Sequence, residues 1–119
     1  MTDMSKSVVL LVEDEEESRE SLRELLELEG YNVETALNGR EALAKLDAFG
    51  PDVCLMLLDL FMPVMNGWEV LAQLRADGRF SAMQIVVTTS AAQNMPSDVP
   101  VFKKPLDFDK LLSTVGALC

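Results

Sequence analysis

The stretch VCLMLLDLFMP, residues 53–63, sets six apolar residues ahead of Asp59 and follows it with Leu60, Phe61, Met62 and Pro63. An unbroken apolar run of this length fits a strand covered on both faces, as in a parallel sheet. A carboxylate at the end of such a strand is expensive to bury unless a cation or a hydrogen-bond donor meets it. The fold and the reason for Asp59 have to be read together.

Similar runs recur at VVLLV (8–12), YNVETA (31–36), QIVVTT (84–89) and VF (101–102). Between them Leu22, Leu25 and Leu26 form one helical stripe, and Ala42, Leu43 and Leu46 a second. Val70, Leu71 and Leu74 form a third, and Phe108, Leu111, Leu112 and Val115 a last one. Helix starts are marked by an Asx residue with glutamate three places on: Asp14 with Glu17, Asn38 with Glu41, Asn66 with Glu69. Gly30 fits a C-terminal cap after the first helix. Alternating strands and helices predict an α/β fold, a doubly wound five-stranded parallel sheet with its functional groups at the carboxyl ends of the strands. One crossover departs from the pattern. Only AAQNMPSDVP (91–100) separates the fourth strand from the fifth, so the fourth helix is predicted to be missing or about one turn long.

At 119 residues the chain has the length of one domain with one core, preceded by a flexible segment over residues 1–7. Its net charge of -10 opposes the phosphate backbone, which argues against direct nucleic-acid binding. The apolar run 8–12 is too short for a signal-peptide core or a membrane span, so a cytoplasmic protein is expected. Cys54 and Cys119 have neither the density of a disulfide framework nor metal-knuckle spacing, and read as structural thiols. There is no histidine, so any histidine chemistry must come from a partner.

The strand ends carry Glu13 and Asp14, then Asp59, Ser90 and Lys104. If the first and third strands are neighbours, three carboxylates meet and repel unless a cation joins them. All-oxygen ligation suits Mg²⁺, with Asp14 and Asp59 binding directly and Glu13 through water.

Four motifs then stand in order on the expected elements: VEDE after the first strand, LLDLFMPVMNG around the third, TTSA at the fourth and FKKPL at the fifth. With these the chain resembles the receiver domain of bacterial two-component response regulators. The resemblance implies a flavodoxin-like sheet of order 2-1-3-4-5 and a phosphoacceptor switch served by a histidine kinase or phosphotransfer protein, with an unidentified downstream protein. It makes Asp59 the acceptor, Glu13 and Asp14 the Mg²⁺-holding pair, and Ser90 the switch hydroxyl. It also pairs Lys104 with the phosphoryl group and makes the Phe61 backbone carbonyl a further metal ligand. The Lys104–Pro105 peptide is expected to be cis.

Each residue also has a plainer reading. Asp14 alone is more often a helix cap, Glu15, Glu16 and Glu17 a solvated first turn, Lys103 a surface lysine. Thr88 or Thr89 competes with Ser90 for the strand end, and Met62, Met65 and Trp68 read as packing. The pattern also departs from the family. Val101 stands three residues before Lys104, where receivers commonly carry an aromatic switch ring, and alternation turns Phe102 to the opposite face. Phe61 and Ala92 are apolar where polar groups would orient an attacking water, which implies a long-lived phosphoaspartate. These departures motivate an alternative, a degenerate receiver that docks proteins without phosphorylation. A haloacid-dehalogenase-type phosphatase is disfavoured by Phe61 in place of its second aspartate, and nucleotide binding by an acidic first turn.

Overall fold

The computed structural model describes residues 8–90 and 95–119, the Arg79 side chain excepted; the expected flexible segment 1–7 and Ala92 lie outside them. The order is β1 (Val8–Val12), α1 (Glu16–Leu28), β2 (Asn32–Ala36), α2 (Gly39–Phe49), β3 (Val53–Asp59), α3 (Gly67–Ala76), β4 (Gln84–Thr89), β5 (Val101–Lys103) and α4 (Phe108–Leu118). All pairings are parallel and the sheet order is β2-β1-β3-β4-β5, the flavodoxin-like arrangement.

Strand alternation divides the core in two. Leu10, Val12, Met56, Leu58 and Val87 meet Ala42, Leu46, Val70, Leu71 and Leu74 on one side. Val9, Leu11, Leu55, Leu57 and Val86 meet Leu22, Leu26, Leu111 and Val115 on the other. Both faces of β1 and β3 are therefore dry, which is why their sequences are continuously apolar instead of alternating. Phe108, placed in the last apolar stripe from sequence, is 42% exposed because it opens the first turn of α4.

Local signals explain most helix ends. Asn66 and Glu69 form a reciprocal capping box, and the Asn38 side chain accepts from the Glu41 amide. Gly30, at φ 97°, donates its N–H to Glu27, and Tyr31 donates to Leu26, a Schellman ending. The Asp14–Glu17 expectation is corrected: Glu15 stands at the N-cap of α1, without a side-chain cap bond. Asp14 is instead drawn into the acidic cluster described below.

Residues 95–100, the described part of the short crossover, contain no helix, as predicted. An Asp98–Arg75 ion pair ties this segment to α3. The cysteine reading is corrected: Cys54 and Cys119 are joined as a disulfide across 65 residues. Their spacing carried no hint of this because α4 runs back along the sheet and brings the chain's last residue beside the start of β3.

Gly67 opens α3 directly against β3; a Cβ there would stand 2.7 Å from the Asp59 carbonyl oxygen and from the Leu60 Cα. Backbone atoms cannot yield as a side-chain tip can, so Gly67→Ala should destabilise the fold by about 1–3 kcal/mol. A lowered urea midpoint at unchanged slope is the expected result; an unchanged midpoint would contradict this packing.

Candidate functional site

Parity along the strands decides which side chains meet. Leu11, Leu57 and Phe102 all face the α1/α4 core, so Glu13, Asp59 and Lys104, two residues later in each case, are aimed to the same side. The ladder continues past the strand ends to hold them. Glu13 N–H donates to the Ala36 carbonyl at 3.0 Å, Leu60 N–H to Thr88 at 3.1 Å, and Lys104 N–H to Thr89 at 2.8 Å.

Lys104 Nζ donates to Glu13 Oε1 at 2.8 Å and to Asp59 Oδ2 at 3.3 Å. Asp59 is 3% exposed and Glu13 2%, whereas Asp14 is exposed at the rim. One ligand oxygen from each of Glu13, Asp14 and Asp59 lies within 4.8 Å of the others. Burial, then the neighbouring Asp59 carboxylate, raises the Glu13 pKa to about 7 against the opposing pull of Lys104. Burial disfavours the Lys104 ammonium too, but Glu13 and Asp59 outweigh it and raise its pKa above the usual 10.5.

This donor set fits a hard divalent cation. Glu13 Oε2 is buried without a partner among the described residues, and three carboxyl groups share the single Lys104 ammonium. Oxygen-only ligation suits Mg²⁺ better than a soft metal.

The other sequence candidates occupy the rim. Phe61 donates its N–H toward Asp59 Oδ1 at 3.4 Å, while its ring, 49% exposed, meets Trp68 edge-on with centroids 5.0 Å apart. Met62, Met65 and Trp68 pack against the α2/α3 core, as expected. In the same turn Val64 sits at φ 68°, a costly conformation for a β-branched residue. Thr88, paired in register with Asp59, and Thr89 are both buried within β4; Ser90 is exposed one residue beyond it. Lys103 is exposed and the Lys104–Pro105 peptide is cis. Val101 packs into the α2/α3 core and Phe102 into the opposite one, as alternation predicted.

Arg19 escaped the sequence reading. Its Nη1 donates to the Glu13 carbonyl at 3.1 Å and the Asp14 carbonyl at 3.4 Å, bracing the acidic turn from within α1. A cation one turn into a helix that follows acidic residues was the available signal, but several pairings of that kind were open.

The raised Glu13 pKa has a stability consequence. Without metal, the folded chain binds this proton more tightly than the unfolded chain, whose value is near 4.5. Its contribution is full below pH 4.5 and is lost as pH rises through about 7. In chelator, Glu13→Gln should flatten the fall in urea midpoint over that window; a mutant as pH-dependent as wild type would contradict the assignment.

The sequence model of the response regulator receiver domain matches residues 9–115. The Transcriptional regulatory protein CpxR homolog of Haemophilus influenzae is 43% identical over 89 residues, covering 75% of this chain and 37% of its own length. Response regulator MprA of Mycolicibacterium vanbaalenii is 33% identical over 115 residues, covering 92% of this chain and 49% of itself. The chain thus spans less than half of either regulator. The response regulator protein TrrA from Thermotoga maritima, solved in complex with Mg²⁺-BeF, superposes with a TM-score of 0.82 at 33% identity, covering 95% of this chain and 99% of that one. With its sheet order, its acidic strand ends and this match over nearly its whole length, the chain belongs to the response regulator receiver domain family.

Proposed function

We propose that Asp59 accepts a phosphoryl group from the phosphohistidine of a histidine kinase or phosphotransfer protein, and that the resulting acyl phosphate biases a conformational equilibrium. The observation that carries this reading is Lys104 Nζ held between the buried carboxylates of Glu13 and Asp59. An Asp59 oxygen attacks phosphorus, the P–N bond of the donor breaks, and the imidazole nitrogen leaves with the bonding pair. Lys104 stabilises charge on the transferred group, and Ser90 donates to a phosphoryl oxygen of the product. Glu13, Asp14, Asp59 and the Phe61 backbone carbonyl would hold Mg²⁺. Bound there, the ion would supply positive charge to offset that of the phosphoryl oxygens.

Receiver domains are signalling modules and not turnover enzymes, and this one assists its own phosphorylation and dephosphorylation. The donor histidine lies outside these 119 residues, which contain none. A cleft of about 400 Å³ leads to the site between α1 and the start of α4, past Ser18, Leu22, Pro105 and Phe108, and suits the approach of such a partner. The setting is cytoplasmic; no helix of the described residues is long and apolar enough to cross a membrane. With Val101 in the position of the switch ring and no helix over 95–100, output runs through the loops around Asp59 without an aromatic rotation. The charge of -10 opposes a phosphate backbone, which supports a reading without direct nucleic-acid contact by these residues.

Intact mass after incubation with acetyl phosphate tests the reading. A single phosphate adduct that requires Mg²⁺ and is absent from Asp59→Asn is expected. Failure with every donor would overturn it and leave the phosphorylation-independent docking module.

Phe61 leaves no polar group two residues after the acceptor to orient a hydrolytic water. Phe61→Asn should therefore lose its phosphate several-fold faster than wild type in Mg²⁺ buffer, followed by mass against time. A mutant no faster than wild type would remove the argument.

A further inference from the structure

The disulfide stands at the end of the sheet opposite Asp59, where the proposed phosphotransfer makes no use of it. Two features of its surroundings bear on its chemistry. The register of β1 against β3 slips between Val8 and Val9, so that Val8 faces Val53 while Val9 faces Leu55. Cys54 is the extra residue of this β-bulge. Unbroken alternation would send it to the face opposite Leu55; the bulge turns both into the core beneath α1 and α4. There the end of α4 delivers Cys119, with the two Cα atoms 5.5 Å apart, a separation a disulfide spans without backbone movement.

The two cysteines differ in exposure as residues. Cys54 is 8% exposed, whereas Cys119 is open to solvent. Both border a cleft of about 280 Å³ whose walls include Gly50, Pro51, Phe80 and Met83. Cys54 Sγ also lies 3.4 Å from the Val8 carbonyl oxygen, so a reduced Cys54 has an acceptor for its S–H already in place.

We propose that Cys54 and Cys119 form a reversible thiol–disulfide clasp between β3 and α4, exchanging through this cleft with low-molecular-weight thiols and disulfides. In the oxidising direction the Cys119 thiolate attacks one sulfur of a small oxidised disulfide, forming a mixed disulfide and releasing one small thiol. The Cys54 thiolate then attacks the Cys119 sulfur, closing the protein disulfide and expelling the second small thiol. Two electrons pass from the protein cysteines to the small disulfide, and their two protons end on the released thiols. Reduction is the same sequence reversed. The reversibility rests on the cytoplasmic setting proposed above, where thiol pools keep such bonds exchangeable; the exchange itself is independent of Asp59. The closed bond restricts the unfolded chain across 65 residues and fixes the helix that begins four residues after Lys104.

The test equilibrates the whole chain with oxidised or reduced glutathione. Alkylatable thiols are then counted by intact mass after denaturation, and Tm is measured. Oxidised glutathione should leave no alkylatable thiol and raise Tm by roughly 10 °C over the reduced protein. Reduced glutathione should restore both thiols. Cys54→Ala should accumulate one glutathione adduct at the exposed Cys119, and Cys119→Ser should show none at the buried Cys54 and a Tm indifferent to redox state. Two alkylatable thiols after oxidised glutathione, disulfides formed only between chains, or equal Tm in both states would overturn the clasp. The acetyl phosphate adduct, followed in parallel, separates this outcome from failure of the Asp59 reading.

Discussion

The Lys104 ammonium between Glu13 and Asp59 is the contact on which the rest of the site depends. Two carboxylates almost removed from water repel each other and lose hydration, and one partly exposed cation at the mouth offsets both effects. The compensation is incomplete. Among the described residues Glu13 keeps one oxygen without a partner and holds its proton to about pH 7, and Asp14 adds a third carboxyl group at the rim. A site left short of positive charge is disposed to take up a divalent cation.

That arrangement needs a rigid frame, and the parallel sheet provides one. Strand alternation aims Glu13, Asp59 and Lys104 to one side, while hydrogen bonds continuing beyond β1, β3 and β5 fix the backbone under each of them. The dry layers on both faces of β1 and β3 leave little freedom to relieve the repulsion by movement. In the loop after β3, Val64 stands in a left-handed conformation and the half-exposed Phe61 meets Trp68 edge-on.

Much of this was legible before any coordinates. Continuous apolarity in residues 53–58 announced a strand covered on both faces, and 3.6-residue stripes with Asx caps located the helices, because these signals arise from neighbours in sequence. Glu13, Asp14, Asp59, Ser90 and Lys104 were legible as strand-end residues, since in a parallel α/β fold strand ends are where polar groups gather. The absence of a helix over 95–100 was legible from Pro96, Pro100 and the shortness of the connection.

What the tertiary structure alone decided are pairings between distant residues. Lys104 lies closer to Glu13 than to Asp59, Arg19 braces the carbonyls of the acidic turn, and Glu15 takes the N-cap position assigned to Asp14. Cys54 and Cys119, read as separate thiols, are joined through a bulge in β3 and the return path of α4. Composition, period and capping are properties of a few consecutive residues. Which of several cations meets a given carboxylate, and which sulfur faces which, follow only from the register and crossover geometry of the folded sheet.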